Sequence, residues 1–190
     1  MGLKLLDERL NGLMLFEPAF FEDDRGFFME SYKAEDLLDY GINEPFVQDN
    51  HSGSRKGVVR GMHFQWDSPQ GKLIRVTRGE ALVVEVDLRK NSPTLGEHAQ
   101  FNLSESNRQM LWIPAGFANG FAALSDWVEV QYKCTAHWNK TGEGAIRWND
   151  PKLNINWGIE NQIISPKDNE AQTLEEWLAK PESDIFRIKP

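Results

Sequence analysis

The sequence predicts an all-β domain, a sandwich or small barrel with short peripheral helices. Three observations carry that reading. Short apolar runs recur from end to end, turn residues close most of them, and only two stretches hold apolar residues at helical spacing. The runs lie at 13–17, 27–32, 46–51, 58–65, 73–78, 81–88, 110–114, 128–134 and 145–148. Between them stand Asp23-Asp24-Arg25-Gly26, Ser52-Gly53-Ser54, Arg78-Gly79-Glu80, Asn91-Ser92-Pro93 and Asn139-Lys140-Thr141-Gly142. Val83, Val84, Val86 and Leu88 suit a strand buried on one or both faces. Two glycines and a proline make 112–121 read as a tight turn with close backbone approach. A helix is expected over 33–40, closed by Gly41, with Leu37 and Leu38 on one face. A second is expected over 169–180, where Leu174, Trp177 and Leu178 share a face and Pro181 ends it. Residues 1–12 find no place in this core, and a spare segment in a β fold often pairs with a neighbour's sheet edge.

A chain of 190 residues makes one domain, 1–190, with 1–12 and 169–190 as extensions. It has 21 Lys+Arg against 29 Asp+Glu, a net charge of −8, which argues against general nucleic-acid binding because phosphate affinity needs clustered cations. Hydrophobic residues reach 40%, with 7 Trp and 11 Phe, so a core can form. Cys134 is the only cysteine, which excludes an internal disulfide and a cysteine-rich metal site. No apolar run approaches the ~18 residues of a membrane span. The start, Met1-Gly2-Leu3-Lys4-Leu5-Leu6-Asp7-Glu8-Arg9, is too charged for a signal peptide, and Leu6 breaks the myristoylation pattern. The expectation is a compact, soluble, cytoplasmic protein without nucleic-acid or membrane partners.

Four polar clusters interrupt the apolar pattern. In Gly57-Val58-Val59-Arg60-Gly61-Met62-His63-Phe64-Gln65, strand alternation puts Val59, Gly61, His63 and Gln65 on one side and Arg60, Met62 and Phe64 on the other. His63 then points into a cavity beside Gly61, or is a core histidine bonded to a carbonyl. Lys72 shares a face with Ile74 and Val76; it either snorkels to solvent or sits in a pocket as a cation for an oxyanion. Asn119, between Ala118 and Gly120, reads as polar lining or a turn residue. Tyr132 shares a face with Val130 and Cys134 and either packs or carries a proton near His63. Arg25 and Arg60 suit a diphosphate or simple surface pairs. Asp168, by itself, is a turn or capping residue.

Taken in order, Asp24-Arg25-Gly26-Phe27-Phe28-Met29-Glu30, Val47-Gln48-Asp49-Asn50-His51-Ser52, Arg60-Gly61-Met62-His63-Phe64-Gln65, Gln70-Gly71-Lys72-Leu73, Val86-Asp87-Leu88-Arg89, Ser92-Pro93-Thr94, Ile113-Pro114-Ala115-Gly116-Phe117, Tyr132-Lys133-Cys134 and Trp148-Asn149-Asp150-Pro151 strongly resemble the dTDP-4-dehydrorhamnose 3,5-epimerase family, over roughly 10–170. The resemblance implies a cupin-type double-sheet jelly roll, a homodimer built through the N-terminal segment, and a nucleotide-sugar substrate, dTDP-4-dehydro-6-deoxyglucose. It places the general base on His63, its partner carboxylate on Asp168, the proton-donating tyrosine on Tyr132 and the enolate-stabilising lysine on Lys72. Phosphate contacts fall on Arg25 and Arg60. Glu30, Gln48 and Asn50 match pocket-lining positions.

The chemistry agrees. A C4 ketone acidifies the hydrogens at C3 and C5, and reprotonating the enolate from the other face inverts the centre. A gap of roughly ten pKa units between carbon acid and base costs about 14 kcal/mol, so an imidazole alone does not suffice and a preorganised cation is needed. No redox step occurs and no Gly-x-Gly-x-x-Gly is present, so no cofactor is expected. Many cupins bind a metal through His-x-His, a following Glu and a later His; here Gln65 and Asn119 take two of those places, and the expectation is no metal. Asn119 stands where most of the family has His, and Trp138 where it often has Tyr. Either change is compatible with epimerisation at one centre, another nucleotide, or ketoisomerisation. A sugar-nucleotide-binding cupin without turnover is the rival from outside enzymes, against which the joint presence of His63, Lys72, Tyr132 and Asp168 argues.

Overall fold

The computed structural model describes residues 2–188; Met1 at one end, and Lys189 and Pro190 of the expected C-terminal tail, lie outside the described residues. Thirteen strands run in chain order: β1 (Leu3–Arg9), β2 (Leu13–Pro18), β3 (Phe20–Asp23), β4 (Gly26–Met29), β5 (Gln48–Arg55), β6 (Val59–Gln65), β7 (Lys72–Arg78), β8 (Glu80–Asp87), β9 (His98–Ser104), β10 (Met110–Ile113), β11 (Phe117–Ala123), β12 (Trp127–Cys134) and β13 (Glu143–Ala145). One sheet has the order β1-β2-β10-β7-β12-β5, the other β13-β6-β11-β8-β9, and β3 with β4 forms a separate hairpin. Neighbouring strands are antiparallel. Strands that alternate between two facing sheets make the double-sheet jelly roll.

Apolar residues at alternate strand positions fill the space between the sheets. Leu13, Ile74, Val76, Val83, Phe101, Leu111, Ile113, Phe121 and Val130 form this interior. Both sheets are also covered outside. Val84, Val86 and Leu88 turn away from the interior and pack with Leu174, Trp177 and Phe186, so β8 is buried on both faces. Across the other sheet, Phe16, Leu73, Met110 and Trp112 pack with Leu37 and Ile42. The polar end of the interior is therefore the exception between two sheets that are otherwise packed with apolar side chains.

Of the segment 1–12, the described residues do find a place in the chain's own sheet. β1 pairs along β2, and the turn between them is held by Arg89, which donates to Leu10 O at 2.6 Å and Asn11 O at 3.0 Å. Arg89 is fixed by buried Asp87 at 2.8 Å, and Ser92 and Thr94 also donate to that carboxylate. The Asp87, Arg89, Ser92 and Thr94 positions are thus structural. The 112–121 segment is two strands, β10 and β11, joined by a short turn, rather than one turn. The helix expected over 33–40 is α1 (Ala34–Leu38), in which Leu37 is buried and Leu38 exposed, because adjacent helical residues do not share a face. The helix expected over 169–180 is shortened to α3 (Leu174–Leu178), and a separate turn of helix, α2 (Pro166–Asn169), ends where the expected helix begins. Gln172 is drawn into a backbone pairing with Arg147, and Thr173 with Glu176 makes a capping box that restarts the helix.

Candidate active site

The site begins with an irregularity in β6. His63 pairs with Asn119 and Arg60 with Phe121, so Gly61 and Met62 face the single residue Gly120. This is a bulge, and it reverses the face of everything beyond it. Arg60 and His63 consequently line the same cavity, where plain alternation separates them, while Val59 and Met62 pack outward together. Only glycine fits at position 61: its φ is +129°, and a Cβ there would lie 2.6 Å from Gly120 Cα and 2.8 Å from Asn119 O.

The cavity, about 240 Å³, opens between the sheets and is lined by Gln48, Asn50, Ser52, Arg60, His63, Gln65, Gln70, Lys72, Asn119, Tyr132, Trp138 and Glu143, among others. Register explains the grouping. On one wall His63, Asn119 and Glu85 stand side by side across β6, β11 and β8. On the facing wall Lys72 pairs with Cys134 and Ile74 with Tyr132, and Asn50 lies opposite Tyr132 on β5. Lys72 Nζ lies 5.9 Å from the Tyr132 ring centre. A groove of about 350 Å³ beneath the β3–β4 hairpin is larger, but neither His63 nor Tyr132 lines it.

Asp168 reaches His63 from α2. Ser165 caps that helix by accepting from Asp168 N, and Asp168 Oδ1 sits 2.6 Å from His63 Nε2. Gly61 N donates to Asp168 Oδ2 at 3.4 Å. Burial pushes this carboxyl up, but the bond and charge of His63, the Gly61 N–H and Ser165 outweigh it and hold it below the usual range. With Nε2 occupied, Nδ1 is the ring nitrogen left for a substrate proton. Burial pushes the Lys72 ammonium down, opposed by Glu85, Cys134 and Glu143. Burial also pushes the Tyr132 phenol up. A base on one wall and a phenol and a cation on the other is an arrangement that can move a proton across a bound molecule.

The remaining expected positions divide. Gln48, Asn50, Arg60, Asn119 and Trp138 join the cavity. Gln65 pins the 137–139 loop by donating to His137 O and accepting from Asn139 N, and Trp138 N donates to Gln48 Oε1 at 2.8 Å, which sets the indole at the cavity mouth. Arg25 and Glu30 do not join it. Arg25 is on the β3–β4 hairpin, its side chain 90% exposed and paired with Asp23, and Glu30 lines a separate small recess. Sequence reasoning missed Glu85 and Glu143. Glu85 had a signal, an acid inside a run of valines. Among the described residues no group of three or more His, Cys, Asp or Glu could hold a metal ion.

The chain matches the family model for dTDP-4-dehydrorhamnose 3,5-epimerase over residues 7–176. It belongs to this family. A dTDP-4-dehydrorhamnose 3,5-epimerase of Methanothermobacter thermautotrophicus is 46% identical over 176 residues, 91% of this chain and 95% of that protein. One from Neisseria gonorrhoeae is 45% identical over 90% of this chain, which spans 52% of that longer protein. Among solved structures, the dTDP-6-deoxy-D-glucose-3,5-epimerase of Legionella pneumophila, in complex with dTDP-4-keto-L-rhamnose, superposes with a TM-score of 0.93 at 40% identity, covering 99% of this chain and all of that one. The 3,5-epimerase family thus shares with this chain the jelly roll and nearly its whole length.

Proposed function

We propose that this protein is an epimerase that inverts C3 and C5 of a 4-keto-6-deoxy nucleotide sugar, converting dTDP-4-dehydro-6-deoxyglucose to dTDP-4-dehydrorhamnose. One observation carries the reading: His63 with its buried carboxylate partner and Tyr132 with Lys72 come from opposite sheets into one cavity. His63 Nδ1 takes the proton from the carbon beside the C4 ketone, and Asp168 stabilises the imidazolium. The electron pair moves onto the C4 oxygen, where Lys72 meets the developing charge. Tyr132 returns a proton to the opposite face, the C4 carbonyl re-forms, and the stereocentre is inverted. Solvent resets His63 and Tyr132, and the sequence repeats at the second carbon. Arg60 sits at the rim as a cation for the diphosphate, with Trp138 positioned to stack on the base. Gln48 and Asn50 complete the polar lining.

A homodimer belongs to the same reading. The β3–β4 hairpin leaves both sheets and carries Phe21, Phe27 and Phe28, all more than half exposed. Such a patch is what a second copy covers. Arg25 and Glu30 then serve that copy's cavity rather than their own, and the N-terminal segment, whose β1 is at the edge of the six-stranded sheet, lies at the contact. Among the described residues no helix is long and apolar enough to cross a membrane, and a nucleotide-linked substrate fits cytoplasmic action. The test is incubation with dTDP-4-dehydro-6-deoxyglucose in deuterated water, followed at C3 and C5 by NMR. Exchange at both carbons is expected. Exchange at one alone makes the protein a single-centre enzyme, and exchange at neither refutes the proposal.

A further inference from the structure

Glu85 is wholly buried at the floor of the cavity, next to Asn119 in the row that begins at His63. Asn119 Nδ2 donates to its Oε1 at 2.5 Å, and its Oε2 has no hydrogen-bond partner among the described residues. A carboxylate here would leave part of its charge on a buried oxygen that nothing bonds. A half-turn of the amide exchanges its oxygen and nitrogen without displacing other heavy atoms. The buried oxygen is relieved of charge in one arrangement, in which a protonated Glu85 faces the amide oxygen.

We propose that Glu85 is a positioning residue held as a neutral acid: it donates to Asn119 Oδ1, turns the Asn119 N–H groups toward the substrate beside His63, and leaves the Lys72 charge undiminished for the enolate oxygen. This rests on the epimerase reading and adds a donor that the single imidazole and lysine do not supply. Burial pushes the Glu85 carboxyl well above the usual range, against the weaker pull of the Asn119 bond and the Lys72 charge. The titratable and charged groups around this floor are Lys72 on β7, His63 on β6, Tyr132 and Cys134 on β12, and Glu143 on β13; β9 contributes Ala99 opposite Glu85. With Glu85 neutral, Glu143 is the anion left facing Lys72, and it is shared with Lys167 at 2.6 Å. A second carboxylate on the floor would oppose the negative charge that the reaction creates.

The test pairs infrared difference spectroscopy with kinetics. Wild-type protein minus Glu85→Gln at neutral pH should show the carbonyl stretch of a protonated carboxyl, shifted in deuterated water; carboxylate bands alone overturn the proposal. Glu85→Gln keeps an N–H facing Asn119 Oδ1 and should hold kcat within about threefold, whereas Asn119→Asp loses the donor and should lower kcat about a hundredfold with KM little changed. A hundredfold loss in Glu85→Gln with the native melting temperature, or near-normal turnover in Asn119→Asp, overturns it as well. Wild-type protein that exchanges neither C3 nor C5 refutes the epimerase reading and the role of the Asn119 donor, whereas the infrared band reports on Glu85 without turnover.

Discussion

Replacing Asp168 by Asn tests the base most directly, because it removes one charge and almost no volume. Asp168 Oδ1 lies 2.6 Å from His63 Nε2, and the carboxyl is 5% exposed. Once His63 is protonated, opposite charges about 4 Å apart at an effective dielectric near 20 attract by ~4 kcal/mol. Asn offers no charge, and its amide N–H can also select the wrong imidazole tautomer. The expected loss is therefore about 10³-fold in the rate of exchange at C3 and C5, followed by NMR in deuterated water. Asp168 is not part of the cavity wall, so affinity for dTDP by calorimetry should stay within about threefold. A variant that exchanges within tenfold of the native rate, or that loses affinity instead of rate, refutes the role. The same carboxyl makes a pH prediction. Its folded pKa is lowered, so its contribution to stability is complete above the unfolded value of about 4 and disappears as pH falls through the folded one. The urea midpoint of native protein should exceed that of Asp168→Asn at pH 6, and the difference should shrink in acid; a difference that grows in acid contradicts the assignment.

Gly61→Ala should lower stability by about 3 kcal/mol or more in urea unfolding, because the +129° backbone and the Gly120 contact leave no room for a methyl; an unchanged midpoint would remove the bulge argument. Trp138→Ala should weaken dTDP binding about tenfold with kcat unaffected, since the exposed indole offers only stacking; a change in kcat alone would move Trp138 out of the nucleotide subsite. Arg25→Ala and His63→Ala, each inactive alone, should recover about a quarter of native activity when mixed and allowed to exchange subunits, because half the dimers then carry one intact site. No recovery in mixed dimers would return Arg25 to its own chain's site, and full activity of Arg25→Ala alone would leave it a surface residue.

The parts of the fold legible in the sequence are those where one face dominates. The runs at 58–65, 73–78, 81–88 and 128–134 correspond closely to β6, β7, β8 and β12, because their apolar residues face a closed interior. β9 holds no apolar run, because His98, Gln100 and Asn102 alternate with Ala99, Phe101 and Leu103 and only one face of the strand is apolar. β11 was concealed by Gly116 and Gly120. Gly116 does make the turn, but Gly120 is a strand residue kept small by Met62 and Arg60 O. In the site, side chains that share a strand face were readable: Lys72 with Ile74 and Val76, and His63 with Gln65. What was not readable depends on events between strands. The Gly61 bulge brings Arg60 to His63, and α2 carries Asp168 across more than a hundred residues of chain to the same ring. The family resemblance supplied that pairing; no local pattern contains it.

The net charge of −8 shows why a global quantity is a poor guide to such a site. A dianionic substrate approaches an acidic protein, yet surface charges farther than about 8 Å from it are screened at physiological salt. Binding is therefore decided by the few groups at the cavity. Arg60 at the rim donates its Nε and one terminal nitrogen to Ser54 Oγ and Gly53 O, which fixes the guanidinium while leaving it without a carboxylate partner among the described residues. Lys72 likewise forms no ion pair among the described residues, so its charge stays available at the reacting end of the cavity. Glu143, the partly buried acid of the lining, is bonded to Lys167 on α2. The acidic residues that set the net charge sit outside this set, and the local balance favours an anion at both ends, diphosphate at the mouth and enolate at the floor. In the mechanism proposed above, the lysine at the floor serves the reaction rather than recognition, because the oxygen it would face becomes charged only after His63 has taken the proton.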